Sequence, residues 1–67
     1  MPTYIKARLL PSTRTKPARV SIVHLNTAER ATRPLTHASV REEIEAAFPG
    51  CEYLWAEYGW IYFKCAG

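Results

Sequence analysis

Basic and hydroxyl side chains alternate along the first third of the chain, in a pattern that suits binding to phosphate groups. Hydroxyls occupy Ser12, Thr13 and Thr15. The cations around them are Lys6, Arg8, Arg14, Lys16 and Arg19. Lysine and arginine release condensed counterions when they contact phosphates, and hydroxyls donate hydrogen bonds to the same oxygens. These five cations form the candidate site for an anionic partner, although an ordinary solvated loop would contain the same residue types.

Aromatic residues near the end of the chain form a second candidate site. Tyr58, Trp60 and Tyr62 are predicted to remain outside the core. Such side chains stack on unpaired bases or anchor a protein interface. A second sheet layer or a dimer contact would use the same apolar patch, and the sequence leaves these alternatives open.

Residues that usually carry catalysis or bind metals are poorly arranged. The zinc-binding types Cys51, Cys65, His24 and His37 include no closely spaced pair. The chain has no aspartate, no glycine-rich phosphate loop and no recognisable nucleophile motif. We therefore expect no enzymatic activity, no cofactor and no metal.

Length and charge indicate one small domain over residues 1–67, of which 48% are hydrophobic. Folding at this size buries roughly 60% of the surface, so a partner or a second copy would add stability. Residues 1–35 carry seven cations and one anion, whereas residues 36–67 carry two cations and five anions. This division favours an anionic partner for the basic half.

The sequence predicts a cytoplasmic protein that does not enter membranes. No apolar run reaches the roughly 20 residues that span a bilayer, and Lys6 and Arg8 interrupt any signal-peptide core. In that reducing compartment Cys51 and Cys65 are predicted to be mostly thiols, with a disulfide geometrically possible if the protein meets an oxidant.

Hydrophobic periodicity predicts the elements that position these residues. Residues 3–25 form a basic hairpin, because apolar residues alternate in the first strand and β-branched residues fill the second, where a bulge or two-sided burial is expected. Residues 26–35 are a linker or a short edge strand. A helix spans residues 37–48, with Ser39 and Glu42 as a capping box and the carboxylates of Glu42, Glu43 and Glu45 on a solvated face.

Residues 51–65 form a C-terminal hairpin, for which we predict a three-residue loop at residues 57–59. The strand pairs are then Cys51 with Cys65, Glu52 with Lys64, Tyr53 with Phe63, Leu54 with Tyr62, and Trp55 with Ile61. We prefer this register to a two-residue turn at Tyr58-Gly59 because its cross-strand pairs are more complementary. The register places Trp55 in the core.

Together these elements predict an α+β fold. Its small antiparallel sheet has the order ββ(β)αββ, and one helix packs on one face because each must bury an apolar side.

The opening segment also resembles a group of proteins. The pattern Lys6-Ala7-Arg8, Leu10-Pro11, Thr13, Thr15 and Arg19 is similar to that of short phage- and plasmid-encoded proteins, although Lys16-Pro17 replaces their usual loop glycine. The resemblance covers mainly residues 4–22. It implies a mobile-element origin and a cytoplasmic setting, and it implies no reaction.

These observations favour a non-enzymatic binding protein whose basic hairpin engages nucleic acid or a nucleoprotein complex. One alternative is a protein inhibitor of a host defence or replication factor, of the anti-CRISPR kind, anchored by exposed aromatics. Another is a self-associating structural module that forms a homodimer.

Overall fold

Alternating apolar residues place the first strand at the centre of a five-stranded antiparallel sheet. The computed structural model describes residues 2–66. Its elements are β1 (Thr3–Leu10), β2 (Arg19–His24), β3 (Arg30–Pro34), α1 (Val40–Ala47), β4 (Cys51–Glu57) and β5 (Trp60–Cys65). The spatial order is β3-β2-β1-β5-β4. The α+β class, the element order and the single helix packed on the sheet are confirmed.

The core lies between α1 and one face of the sheet. Its buried hydrophobic residues are Ile5, Ala7, Val20, Ile22, Val40, Ile44 and Phe63. Burying a side chain such as Ile or Phe contributes roughly 1.5–3 kcal/mol each. Tyr53 adds an edge-on aromatic contact to Phe63, with ring centroids 6.2 Å apart. A core this small leaves the opposite face of the sheet without a covering layer.

The second and third strands refine the sequence prediction. Val20 and Ile22 are buried and Val23 is half-buried on the opposite side, and β2 keeps one continuous register with β1. Of the two alternatives expected for β2, the structure therefore has burial on both faces and no bulge. The edge strand exists and runs over Arg30–Pro34, with Pro34 at its end, as a residue that lacks an N–H donor requires.

Helix α1 is shorter than predicted, because the chain before its cap is not helical. The side chain of Ser39 accepts a hydrogen bond from the Glu42 amide at 3.2 Å, which makes Ser39 the N-cap. At the other end the Phe48 amide donates to the Ile44 carbonyl at 2.9 Å. Gly50 follows in the left-handed region with φ of 99°, so the chain turns sharply into β4.

The C-terminal hairpin contains a bulge that the sequence prediction missed. The pairs of Cys51 with Cys65 and of Tyr53 with Phe63 are as predicted, but the register shifts between Tyr53 and Trp55. The turn is the two-residue one, with Tyr58 at φ 51° and Gly59 at φ 82°. These angles suit the type I′ turn that matches strand twist. The predicted three-residue loop is therefore wrong.

The bulge reverses the placement of Trp55. A shift of one residue moves every later side chain to the other face of a strand. Trp55 is consequently opposite Tyr62, and neither the predicted pair with Ile61 nor that of Leu54 with Tyr62 forms. Trp55 is 50% exposed and is not a core residue.

A disulfide joins Cys51 and Cys65 across the open end of this hairpin. The expectation that both are mostly thiols is corrected here. The bond connects the edge strand β4 to its neighbour β5, with which it already pairs. It links the two strands at the end of the hairpin that is away from the turn. Disulfides persist in oxidising surroundings, which the expected cytoplasmic location does not ordinarily supply.

Replacing both cysteines by serine is expected to lower the free energy of unfolding by about 3 kcal/mol, since the bond closes a loop of about 15 residues. Urea denaturation followed by circular dichroism would measure this. A reductant should lower the midpoint of the wild type and leave the double variant unchanged. A wild-type midpoint that does not respond to reductant would contradict the contribution of the bond.

The carboxylate of Glu43 is fully buried, which corrects its expected place on a solvated helix face. Its Oε1 accepts hydrogen bonds from the Thr36 amide, the Thr36 hydroxyl and the His37 amide. Its Oε2 accepts from Arg33 Nε at 3.2 Å. The hydrogen bond from the Thr36 backbone is the largest cause that lowers the pKa of Glu43 from 4.5 to about 2, against the opposing effect of burial. Glu43 thus ties β3 and the following segment to α1.

Because the folded-state pKa of Glu43 lies below its ordinary value, its contribution to stability is present above pH 4.5 and is lost as the pH falls towards 2. Glu43→Gln should therefore be less stable than the wild type at pH 7 and should lose less stability across that acidic range. Thermal unfolding at a series of pH values would measure both effects. The control Glu45→Gln removes an exposed carboxylate of the same helix and should cost far less stability at pH 7. Equal losses from the two variants would contradict the role of Glu43.

No helix in the described part of the chain is both long and apolar enough to cross a lipid bilayer.

Candidate functional site

No element within residues 2–66 covers the face of the sheet opposite α1, and we call this face the open face. Residues paired across antiparallel strands share a face, so the register identifies its members. They are Tyr4, Lys6, Arg8 and Leu10 on β1; Arg19, Ser21 and Val23 on β2; Arg30, Thr32 and Pro34 on β3; Trp60, Tyr62 and Lys64 on β5; and Glu52, Trp55 and Glu57 on β4.

Positive and negative side chains occupy different strands of the open face. Its cations lie on β1, β2, β3 and β5, and its two carboxylates, Glu52 and Glu57, both lie on the edge strand β4. Lys64 is opposite Glu52, so this cation has an acidic neighbour. The remaining positive side chains therefore form a continuous field over the β1, β2 and β3 part of the sheet.

Two cations lie over one aromatic ring where β1 and β5 adjoin on the open face. Lys6 Nζ is 4.3 Å from the centroid of the Trp60 ring, and Arg8 Cζ is 5.0 Å from it. In such cation–π contacts the positive group is attracted to the electron-rich face of the ring. They arise because β1 and β5 are neighbours, which brings the basic first strand beside the aromatic last strand.

The open face has a second aromatic feature beside Trp60. Trp55 and Tyr62 are stacked with centroids 5.0 Å apart and an interplanar angle of 18°. The bulge in β4 produces this stack, because it turns Trp55 towards the face that Tyr62 occupies. Half of the Trp55 surface remains exposed and is available to a further planar group.

Arg19 occupies the end of the open face next to the β1–β2 loop. It pairs with Leu10 on one side and Pro34 on the other. Its Nε is buried and has no hydrogen-bond partner within residues 2–66. An unsatisfied buried donor is uncommon in folded proteins. Arg19 therefore has a buried donor that the described residues leave unsatisfied.

The sequence-predicted site residues are only partly brought together. Lys6, Arg8, Arg19, Trp60 and Tyr62 share the open face. Arg14 and Lys16 lie in the exposed β1–β2 loop, where the Thr13 amide donates to the Lys16 carbonyl at 2.8 Å. Tyr58 is at the hairpin tip, 93% exposed and apart from the other two aromatics.

Ion pairing within residues 2–66 uses cations other than the predicted five. Arg33 pairs with Glu43, and Arg41 pairs with Glu45 at 3.4 Å on the surface of α1. His37 Nδ1 also contacts Glu43 Oε1, at 3.2 Å. Glu43 and Glu45 are thus paired with neighbours on their own side of the sheet and do not neutralise the open face.

No family model matches the chain, and no curated protein or solved structure matches it. The use of the open face is therefore inferred from its own side chains.

The structure adds residues that sequence reasoning missed. Arg30 joins the open face because β3 begins at this residue, and its pairing with Val23 fixes its side. Trp55 joins it through the bulge. Side chains alternate between the two faces of a strand, so a strand over Arg30–Pro34 would have placed Arg30 on the same face as Pro34. No local sequence signal distinguishes the bulged register of β4 from the regular one, and the placement of Trp55 was therefore missed.

A cleft lies on the other side of the molecule, beside the disulfide. It has a volume of about 340 Å³ and is lined mainly by apolar groups, including Ile5, Phe48 and Cys65, with His24 among them. Within residues 2–66 no three His, Cys, Asp or Glu side chains are grouped as metal ligands would be. The cleft has none of the charge that marks the open face.

Proposed function

We propose that this protein binds nucleic acid through the open face of its sheet, without catalysing a reaction. The observation that carries the proposal is the contact of Lys6 and Arg8 with Trp60, which joins positive charge and aromatic surface at one place. Phosphates interact with the first and bases with the second.

Two further observations support an anionic partner. Arg19 has a buried Nε with unused hydrogen-bonding capacity at the end of this face, and a phosphate that drew the side chain outward would satisfy it. The exposed loop with Arg14 and Lys16 begins directly after Leu10 and ends before Arg19, so it extends the basic surface beyond the sheet.

The resemblance of residues 4–22 to phage- and plasmid-encoded proteins sets this activity in a mobile element. In such a setting the nucleic acid is either free or part of a host nucleoprotein complex. Both present phosphates, and the same cations would engage both.

Binding should fall steeply with salt, with the logarithm of affinity losing about 0.7 to 0.9 per phosphate contact for each unit of log salt. The double variant Arg8→Gln/Arg19→Gln should weaken binding and reduce that slope by about 1.5, because two phosphate contacts are removed. Fluorescence anisotropy with labelled oligonucleotides at several salt concentrations would measure both.

Arg41→Gln is the matched control, since Arg41 lies on α1 and pairs with Glu45. It also removes positive charge, and it should leave the slope unchanged. If Arg41→Gln and the double variant lower the slope equally per charge removed, the effect is one of net charge, and the open face is not the binding surface.

A protein partner remains the second candidate, because Tyr58 is 93% exposed at a position of positive φ. An exposed aromatic at a hairpin tip is a typical interface anchor. This observation favours the inhibitor of a host defence or replication factor. Self-association through the edge strands is a third possibility, which sedimentation over a range of concentrations would test.

Tyr58→Asn separates the second candidate from the first. Asparagine before glycine is the preferred residue pair of a type I′ turn, so the hairpin should be at least as stable as in the wild type. If Tyr58 anchors a protein partner, the variant should lose about 2 kcal/mol or more of that affinity. Capture of host proteins on wild-type and variant protein, after nuclease treatment, would measure it. Identical sets of captured proteins would exclude Tyr58 as an anchor.

A further inference from the structure

We infer that the open face binds single-stranded nucleic acid, with two bases stacked on Trp60 and on the Trp55–Tyr62 pair and the phosphates over β1 and β2. This inference rests on the proposed function and specifies its substrate class. Three features indicate that the nucleic acid is single-stranded and how it lies: the shape of the open face, the position of its carboxylates and the aromatic surface that it exposes.

The sheet is too wide for this face to enter the major groove of undistorted B-form DNA. Five strands spaced by about 4.8 Å extend over about 19 Å. The major groove of B-form DNA is about 12 Å wide and admits a helix or a two-stranded ribbon. The open face is made of all five strands, and α1 lies behind it. A duplex would touch this face only along its outer phosphates.

The aromatic groups require bases that are free to stack. In a duplex each base is already stacked on its neighbours and presents only its edge. The Trp55–Tyr62 pair, with centroids 5.0 Å apart and Trp55 half exposed, offers an outer ring surface to a planar group. Trp60 offers its ring with Lys6 Nζ at 4.3 Å, and this cation can move to a phosphate when a base replaces it.

The distribution of charge on the open face sets the orientation of the bound nucleic acid. Lys6, Arg8 and Arg19 lie on the two strands beside the aromatic ones, whereas Glu52 and Glu57 lie on the far edge strand β4. Carboxylates repel phosphates, so the backbone of the nucleic acid is kept over β1 and β2. The bases then point across β5 towards β4, where Trp60, Tyr62 and Trp55 are found.

Intrinsic fluorescence isolates this face, because the chain has two tryptophans and both belong to it. The probes are oligothymidine, oligouridine and the duplex of oligothymidine with oligodeoxyadenosine, all of equal length and at one salt concentration. Both single strands should quench the fluorescence and bind at least about tenfold more tightly than the duplex. Charge alone would favour the duplex, whose phosphates are denser, so this preference reports stacking.

Trp55→Leu and Trp60→Leu each leave one tryptophan as the probe and keep an apolar side chain in place. Each should weaken single-strand binding by about fivefold to a hundredfold and leave the weak duplex binding nearly unchanged. Tyr58→Asn is the control, an aromatic lost from outside the open face. Circular dichroism would verify that every variant is folded.

The outcomes distinguish a failure of the single-strand inference from a failure of the proposed nucleic-acid binding. Duplex binding that equals or exceeds single-strand binding, without quenching, would overturn the single-strand inference and leave nucleic-acid binding in place. The absence of binding to all three probes would overturn the proposed function as well. Binding to either single strand supports the inference, and the difference between oligothymidine and oligouridine measures the combined effect of the sugar and of the thymine methyl group.

Discussion

The sheet has two faces and residues 2–66 contain one helix, of eight residues, so one face must be stable in water. An apolar face could not remain uncovered without association. The solution in this protein is to place long cationic side chains against aromatic rings. The ammonium group of Lys6 and the guanidinium group of Arg8 lie over the Trp60 ring, so the exposed side of the ring meets charged groups. The same arrangement that keeps the face in solution gives it the chemistry to bind bases and phosphates.

The position of the helix depends on Glu43, and so indirectly does the separation of charge. A buried carboxylate is tolerated only when charged and polar groups surround it. Arg33 supplies the charge from the sheet side, while Thr36 and His37 supply hydrogen bonds from the segment before α1. This network uses one cation of the basic half internally. The cations of the opposite face are left without carboxylate partners on α1.

The parts of the fold that follow from local periodicity were predictable, and those that follow from competing preferences were not. The alternation in β1 placed Lys6 and Arg8 correctly, and Ser39 marked the cap. Two preferences compete in the C-terminal hairpin: complementary side-chain pairs at its open end and a two-residue turn at its tip. The bulge shifts the register between them, so both are satisfied. Glu43 was missed although it lies three residues after Val40, within the apolar stripe. The redox state of the cysteines depends on the surroundings, which a sequence does not record.

The two ends of the C-terminal hairpin are closed in different ways, by a tight turn at one end and by a covalent sulfur bridge at the other. Hydrolysis of the peptide bond after the protruding Tyr58 would therefore not release a fragment. The product would be a two-chain molecule whose halves stay linked through Cys51 and Cys65, with β5 still held between β1 and β4. A nicked form of this protein would keep its mass, apart from one added water, and would reveal the cut only after reduction.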